Sequence, residues 1–183
     1  MKRFRESFSV RMFTEAGMMI ALSVLLSMIV LYQAPNGGSV SAGSMIPLLI
    51  FALRWGVGKG MLVGVMYGVL DFMLKPYFYH PLQFLLDYPI AFGLLGLAGL
   101  GYLYRSENQL NQNVMIVLGV LLGIFGRMIS HVLSGVIFFA EYAGTQNPWL
   151  YSFGYNATYL VPEFIISVII LLMVWKPIKN IRK

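Results

Sequence analysis

Long stretches without charge, each about as long as a membrane span, dominate this chain of 183 residues. Residues 16–32 include no charged side chain, and similar apolar stretches recur toward the carboxyl end. Of all residues 58% are hydrophobic and 11% are charged, whereas soluble domains carry about 25% charged residues. A soluble domain of this size has too little interior to bury so many apolar side chains, and disordered chains are poor in them. The sequence therefore indicates a polytopic membrane protein.

The number of spans follows from the length, because a spanning helix needs about 20 residues. The chain allows roughly six spans with short loops, separated by clusters of Gly, Pro and Asn. We therefore predict an all-α membrane protein with six transmembrane helices, in a single integral membrane domain over residues 1–183. The predicted helices cover residues 16–32, 44–54, 61–74, 81–104 with a bend near Pro89, 113–140 and 148–175.

Two rows of glycines recur at four-residue spacing within the predicted helices. Small residues at this spacing let helices approach closely in lipid. Tight internal packing is therefore the role that we predict for these rows, which are Gly56, Gly60, Gly64 and Gly68, and then Gly119 and Gly123.

Basic residues predict the orientation, because cytoplasmic loops carry an excess of Lys and Arg. Cytoplasmic N- and C-termini place eleven of the 13 basic residues on the inner side, leave Lys75 outside and put Arg127 within the fifth helix. We therefore predict this orientation, in the cell membrane. The eleven residues are Lys2, Arg3, Arg5, Arg11, Arg54, Lys59, Arg105, Lys176, Lys179, Arg182 and Lys183.

Several classes of function are excluded by composition and spacing. The net charge of +6 is spread over loops and ends rather than over one solvated patch, which argues against a nucleic-acid partner. The chain has no cysteine for thiolate chemistry. Gly58-Lys59 is not a P-loop, since Leu53 and Gly60 occupy the positions that need Gly and Ser or Thr. His80 and His131 lack metalloprotease spacing. We predict no enzyme activity, no metal and no cofactor.

Five ionisable side chains fall in the predicted membrane region, where burial of charge is costly and each such group is by default a functional hypothesis. The alternative is that an acid and a base only tie two helices together. These residues are Asp71, Asp87, Arg127, His131 and Glu163.

Polar and aromatic side chains converge on the outer half of the bundle. Arg127, His131, Gly135 and Phe139 are spaced by four and form one stripe of the fifth helix. An acid, a base, an amide and many rings at one depth predict a pocket for a small, flat, polar and cationic ligand, because aromatic faces attract cations and a carboxylate supplies the counter-charge. An interfacial aromatic belt is the alternative for the rings. The other residues at this depth are Tyr77, Phe78, Tyr79, His80, Asp87, Tyr88, Trp149, Tyr151, Tyr155, Asn156 and Tyr159.

In these residues the chain resembles the thiamine-binding S-components, the substrate-capture subunits of energy-coupling-factor (ECF) transporters of Gram-positive bacteria. The resemblance covers nearly the whole chain in order, and the second and third stretches, HPLQFLLDYP and HVLSGVIFF, are specific. The matching stretches are residues 37–47, 80–89, 131–139, 147–152 and 155–156.

The resemblance implies a high-affinity thiamine-binding subunit with a six-helix fold and a site near the outer face. It also implies three partners, a membrane scaffold subunit and two cytoplasmic ATPase subunits that use ATP. Gly17 and Ala21 correspond to the patch that docks on the scaffold, with internal helix packing as the alternative. The implied thiamine-binding residues are Tyr77, Asp87, Tyr88, Arg127, His131, Gly135, Phe139, Tyr151 and Asn156.

Thiamine chemistry suggests a role for several of these residues. Thiamine joins a cationic thiazolium to an aminopyrimidine, so Asp87 can balance the charged ring or accept from the amino group. On this interpretation Arg127 holds the carboxylate in place and Asn156 pairs with the pyrimidine edge. Gly135 leaves room for a ring against the helix. Some members of the family carry a Trp in the first outer loop, where this chain has Gly37-Gly38-Ser39.

A second hypothesis is a stand-alone proton- or ion-coupled carrier for a small cationic heterocycle. Asp71, Arg127 and Glu163 would then form a relay across the membrane. Such carriers show inverted repeats and helices broken at the midplane. The sequence shows no repeat and its polar cluster lies off-centre, so it favours the S-component.

Overall fold

The computed structural model describes residues 8–103 and 108–179, which form six helices, one β-hairpin and a short 3-10 turn at Ala140–Ala143. The predicted all-α membrane fold with six helices is confirmed. Lys2, Arg3, Arg5, Arg105, Arg182 and Lys183 lie outside the described residues, and the orientation of the termini stays a prediction. The helices are α1 Val10–Ser27, α2 Ile46–Trp55, α3 Val57–Leu74, α4 over residues 81–103, α5 Gln109–Phe138 and α6 Pro148–Lys179.

The first helix lies further toward the amino end than predicted. Ser9 caps α1, since its Oγ accepts from the Met12 N–H at 3.2 Å. The helix ends at Ser27, and residues predicted to continue it form strand β1, Val30–Gln33, antiparallel to β2, Ser39–Ser41. The prediction of helix to residue 32 was wrong because this apolar run is rich in β-branched and aromatic residues.

Five of the six helices are long and apolar enough to cross a membrane, and α2 is the exception. Its 10 residues rise only about 15 Å, against a hydrocarbon core of about 30 Å. All 10 are buried, so α2 lies inside the bundle. It ends at Trp55, and Gly56, whose φ is positive at 86°, turns the chain directly into α3.

The fourth helix is irregular along its length. The distortion predicted near Pro89 is a π-helical turn, and a 3-10 segment follows further along. Proline has no N–H to donate within a helix, which favours a departure from regular α geometry at this point. The segments are α-helical Pro81–Leu85, π-helical Leu86–Ile90, α-helical Ala91–Leu94, 3-10 Leu95–Gly99 and α-helical Leu100–Leu103.

Backbone packs on backbone between α3 and α4, as the glycine rows predict. A Cβ at Gly64 would lie 2.2 Å from the Phe92 carbonyl oxygen, and one at Gly68 would lie 2.5 Å from the Tyr88 carbonyl oxygen. Any larger side chain would therefore push the two helices apart. This close contact fixes the position of the π-helical turn, which carries Asp87.

Candidate functional site

A cavity of about 930 Å³, counting the space at its mouth, lies between α4, α5, α6, the turn of the β-hairpin and the loop before α4. All nine residues that the sequence predicts to bind the ligand line it, and their role as ligand contacts stays a prediction. They are Tyr77, Asp87, Tyr88, Arg127, His131, Gly135, Phe139, Tyr151 and Asn156.

The carboxylate of Asp87 is held by three side chains. Gln83 Nε2 and Ser134 Oγ each donate to Oδ2 at 2.8 Å, and His131 Nδ1 lies 3.0 Å from Oδ1. Three donors suit the ionised, acceptor-only form of the acid. The site therefore holds a fixed negative charge at the wall of the cavity.

Arg127 does not hold the carboxylate directly, so that expectation is wrong. Its Nε donates to His131 Nε2 at 3.1 Å, and its guanidinium carbon lies 4.1 Å from the centre of the Phe92 ring. One ion pair among the described residues joins Arg54 to Glu15, whereas the contact of His131 with Asp87 is ionic only when the imidazole is protonated. The His131 imidazole lies between the Arg127 guanidinium and the Asp87 carboxylate, because Arg127 and His131 are one turn apart on α5.

The contact between α5 and α6 corrects the expectation for Gly135. A Cβ at Gly135 would lie 2.2 Å from Ser152 Oγ, so the space is occupied by α6 rather than left for a ligand ring. Ser152 Oγ donates to the Val132 carbonyl at 3.1 Å. Asn156 Nδ2 donates to the Ser152 carbonyl at 2.8 Å, and its Oδ1 accepts from the Tyr159 hydroxyl. The Asn156 amide is thereby held rigidly.

Two residues of α6 hold the β-hairpin beside the cavity. The Tyr155 hydroxyl accepts from the N–H groups of Asn36 and Gly38, at 3.2 and 3.1 Å. Glu163, which is buried, accepts through Oε1 from the Ser41 N–H at 2.6 Å and from its hydroxyl at 2.7 Å. Because Glu163 does not line the cavity, it is a support of the hairpin rather than a wall of the site.

Aromatic rings form part of the cavity lining. Phe139 packs against Tyr77 and Tyr142, with ring centres 5.9 and 6.0 Å apart. The Tyr88 hydroxyl accepts from the Tyr77 N–H at 3.1 Å and donates to the Lys75 carbonyl at 3.2 Å. Desolvation by burial, with nearby Tyr142, raises the pKa of the Tyr77 hydroxyl, so this phenol is neutral at pH 7.

Sequence reasoning missed several polar residues of the site. Gln83 lies four residues before Asp87, and Ser134 lies three after His131, so helical spacing was the signal that could have found them. Gln83 also accepts from the Tyr79 N–H at 3.0 Å and ties the preceding loop to α4. The other lining residues outside the predicted set are Asn36, Gly37, Gly38, Ser39, Tyr142, Ser152, Tyr155 and Tyr159.

The three residues of the relay hypothesis have separate partners. Asp71 Oδ1 lies 3.5 Å from the Tyr67 hydroxyl, whereas Arg127 bonds His131 and Glu163 bonds the hairpin. Among the described residues, no hydrogen bond joins any two of the three. Asp71 and Glu163 also lie outside the cavity lining.

Gly17 and Ala21 lie on the outer surface of α1. Both are exposed, and no neighbouring atom lies within 4 Å of a Cβ built at Gly17. The alternative of internal helix packing is therefore wrong for this pair, and the face is open to lipid or to a partner.

Comparisons with known proteins agree on one family. A family model described as "Thiamine transporter protein (Thia_YuaJ)" matches residues 13–183. "Thiamine transporter ThiT" of Bacillus subtilis (strain 168) is 35% identical over 178 residues, which cover 92% of each chain. A protein of the same name from Lacticaseibacillus paracasei is 30% identical over 137 residues, covering 69% of this chain and 68% of that one.

A solved structure agrees with the sequence relatives. The structure of ThiT from Listeria monocytogenes superposes with a TM-score of 0.79 at 25% identity, covering 92% of this chain and 94% of that one. The family match covers nearly the whole chain, and five helices have the length and composition of membrane spans. This multi-pass membrane protein of bacteria therefore belongs to the thiamine transporter family.

Proposed function

We propose that this chain is the high-affinity thiamine-capture subunit of an ECF transporter and binds thiamine in the cavity between α4, α5 and α6. The observation that carries the proposal is the Asp87 carboxylate, held by Gln83, His131 and Ser134 without a cationic side chain in contact. A fixed negative charge among aromatic rings suits a cationic heterocycle. The names of its relatives supply the identity of that heterocycle.

The two rings of thiamine would occupy different parts of the cavity. The thiazolium is attracted by Asp87 and by the faces of the surrounding rings. The Asn156 amide, oriented by Ser152 and Tyr159, retains capacity to bond the edge of the aminopyrimidine. Phe139 and Tyr151 supply flat surfaces for stacking.

Delivery of the ligand would depend on the scaffold subunit and two cytoplasmic ATPase subunits. The exposed pair of Gly17 and Ala21 on α1 would dock on the scaffold, because small residues permit close approach of a partner helix. On this proposal the two ATPase subunits bind ATP, and this chain does not.

Calorimetry tests the binding step. We expect the purified chain to bind thiamine without ATP, whereas riboflavin and biotin should give no heat. Absence of heat with thiamine, at concentrations well above micromolar, would overturn the proposal.

Reconstitution tests the mode of transport. Vesicles with this chain alone should bind thiamine and fail to accumulate it, whereas vesicles with the scaffold and ATPase subunits should accumulate it when ATP is present. Accumulation by the chain alone, driven by a proton or sodium gradient, would support the stand-alone carrier instead.

A further inference from the structure

We propose that Arg127 is a positioning residue that acts through His131: it holds the imidazole in one tautomer and thereby orients Asp87 as the negative centre of the cavity. The expected effect of Arg127 on thiamine affinity rests on the proposed function. The tautomer itself is a property of the unliganded protein and is tested separately.

The tautomer follows from the donor and acceptor chemistry of the three residues. Arginine has five N–H donors and no acceptor, so Arg127 Nε must donate to His131 Nε2 across the 3.1 Å contact. Nε2 therefore carries no proton, and the neutral imidazole has its proton on Nδ1. Nδ1 lies 3.0 Å from Asp87 Oδ1, so that N–H points at the carboxylate.

The guanidinium is itself held in place. Its central carbon lies 4.1 Å from the centre of the Phe92 ring, within the distance of a cation–π contact. Phe92 is buried and packs edge-to-face on Tyr67, with ring centres 4.7 Å apart. Because the arginine side chain has only donors, Arg127 Nε can act toward His131 only as a donor.

The other tautomer would disturb the carboxylate. With the proton on Nε2, two donors would face each other between Arg127 and His131, and the bare Nδ1 would face Asp87 Oδ1. Asp87 would keep only the donors on Oδ2, which come from Gln83 and Ser134. The carboxylate would then lose one of its three hydrogen bonds, and its Oδ1 would face the lone pair of Nδ1.

Nitrogen NMR of protein labelled in its histidines tests the tautomer without any ligand. The chain has two histidines, so the variant His80→Gln identifies the signals of His131. We expect the Nδ1–H form of neutral His131 in the parent protein. Observation of the Nε2–H form or of a doubly protonated ring would overturn the proposal.

Two matched variants test whether Arg127 sets this state. Arg127→Met keeps an apolar stem without a donor and leaves only Asp87 to favour Nδ1–H, so the Nε2–H form of His131 should become detectable. Arg127→Lys keeps a charged donor and should retain the Nδ1–H form. Parent-like signals in Arg127→Met would overturn the proposal. If Arg127→Met does not fold, the parent spectrum and that of Arg127→Lys still decide the question.

Calorimetry separates positioning from direct ligand contact. Arg127→Met should weaken thiamine binding about tenfold, and Arg127→Lys should restore most of it. The loss should be smaller for an analogue in which an uncharged ring replaces the thiazolium. An equal loss for both ligands would overturn the proposal, as Arg127 would then not act through the charge of Asp87. No binding of thiamine by the parent would overturn the proposed function alone, since the tautomer is measured without it.

Discussion

The cavity has two walls that are built in different ways. The helical wall consists of residues of α4 and α5, where Gln83, His131 and Ser134 bond the Asp87 side chain. The hairpin wall is the turn of the β-hairpin, where Tyr155 of α6 bonds backbone N–H groups of Asn36 and Gly38. In the helical wall, hydrogen bonds join side chains to the Asp87 side chain. In the hairpin wall, the Tyr155 side chain bonds backbone groups.

Because of this difference, the helical wall determines the charge of the cavity and the hairpin wall determines its shape. Substitutions in the helical wall should change the charge that a ligand meets, while the helices keep their positions. Substitutions in the hairpin wall should change how closely the turn approaches α6, while the charge stays. Substitutions in the two walls test this distinction, and they are followed by a pair outside the cavity, in order of the expected effect on thiamine affinity.

Asp87→Asn should have the largest effect. It removes the negative charge and leaves at least one of the three donors without its acceptor, so affinity should fall about a hundredfold, or a few kcal/mol. Calorimetry with thiamine measures the change. Glu163→Gln and Asp71→Asn are the matched controls, since both acids lie outside the cavity lining and should affect affinity far less. Equal affinity of Asp87→Asn and the parent would show that the helical wall does not recognise charge.

Gly38→Ala should have the next largest effect, because it forces the hairpin away from α6. The added Cβ would lie 2.4 Å from a ring carbon of Tyr159, which is buried and bonded to Asn156. Overpacking of this kind costs about 1–3 kcal/mol, so we expect about a tenfold loss of affinity. Gly154→Ala on α6, with no atom within 4 Å, is the control. Unchanged affinity for Gly38→Ala would mean that the turn contributes no shape to the site.

Tyr155→Phe should have a smaller effect, since it keeps the ring and removes only the acceptor of two N–H groups. A net loss of about 1 kcal/mol corresponds to about a fivefold lower affinity. Hydrogen exchange at Asn36 and Gly38 should become faster. Tyr32→Phe, on the exposed strand β1, controls for loss of a phenol. Exchange at the parent rate would contradict the proposed hold on the turn.

Ala21→Trp and Gly17→Trp should leave thiamine affinity unchanged, because both positions are exposed on α1 and lie outside the cavity lining. Assembly with the scaffold and uptake should be lost, since a bulky side chain keeps a partner helix away. Calorimetry and co-purification on the same samples measure both. Variants that still transport would show that this face does not dock, and variants that lose binding would show that it supports the fold.

The parts of the fold that the sequence predicts are those with a strong local signal. Long apolar stretches predict the helices, and four-residue spacing brings Arg127 and His131 to one face of α5. The hairpin was missed because residues 30–32 are as apolar as the helix before them, and because Tyr155 and Glu163, which hold the hairpin, lie far along the chain on α6. The end of α1 could not be placed for the same reason.

Within the site, residue types were predictable and the contacts between them were not. Charge complementarity suggests that Arg127 bonds Asp87, whereas the turn of α5 places the His131 ring between them. Gly135 suggests space for a ligand, but Ser152 of α6 fills it. The errors for Arg127 and Gly135 both concern the distance between neighbouring helices, which cannot be read from the sequence of one helix.

The π-helical turn in α4 has a consequence for how the length of this chain can vary. A π turn holds one residue more than the α turn that it replaces. Gln83 lies before the turn, and Gly93 and Gly96, which approach α3, lie after it. Deleting one residue from the turn would restore a regular helix and rotate one group by about 100° relative to the other. Insertions and deletions among homologues should therefore fall in the loops and spare residues 86–90. This turn sets the rotation of the cavity residues on α4 relative to the glycines that pack on α3.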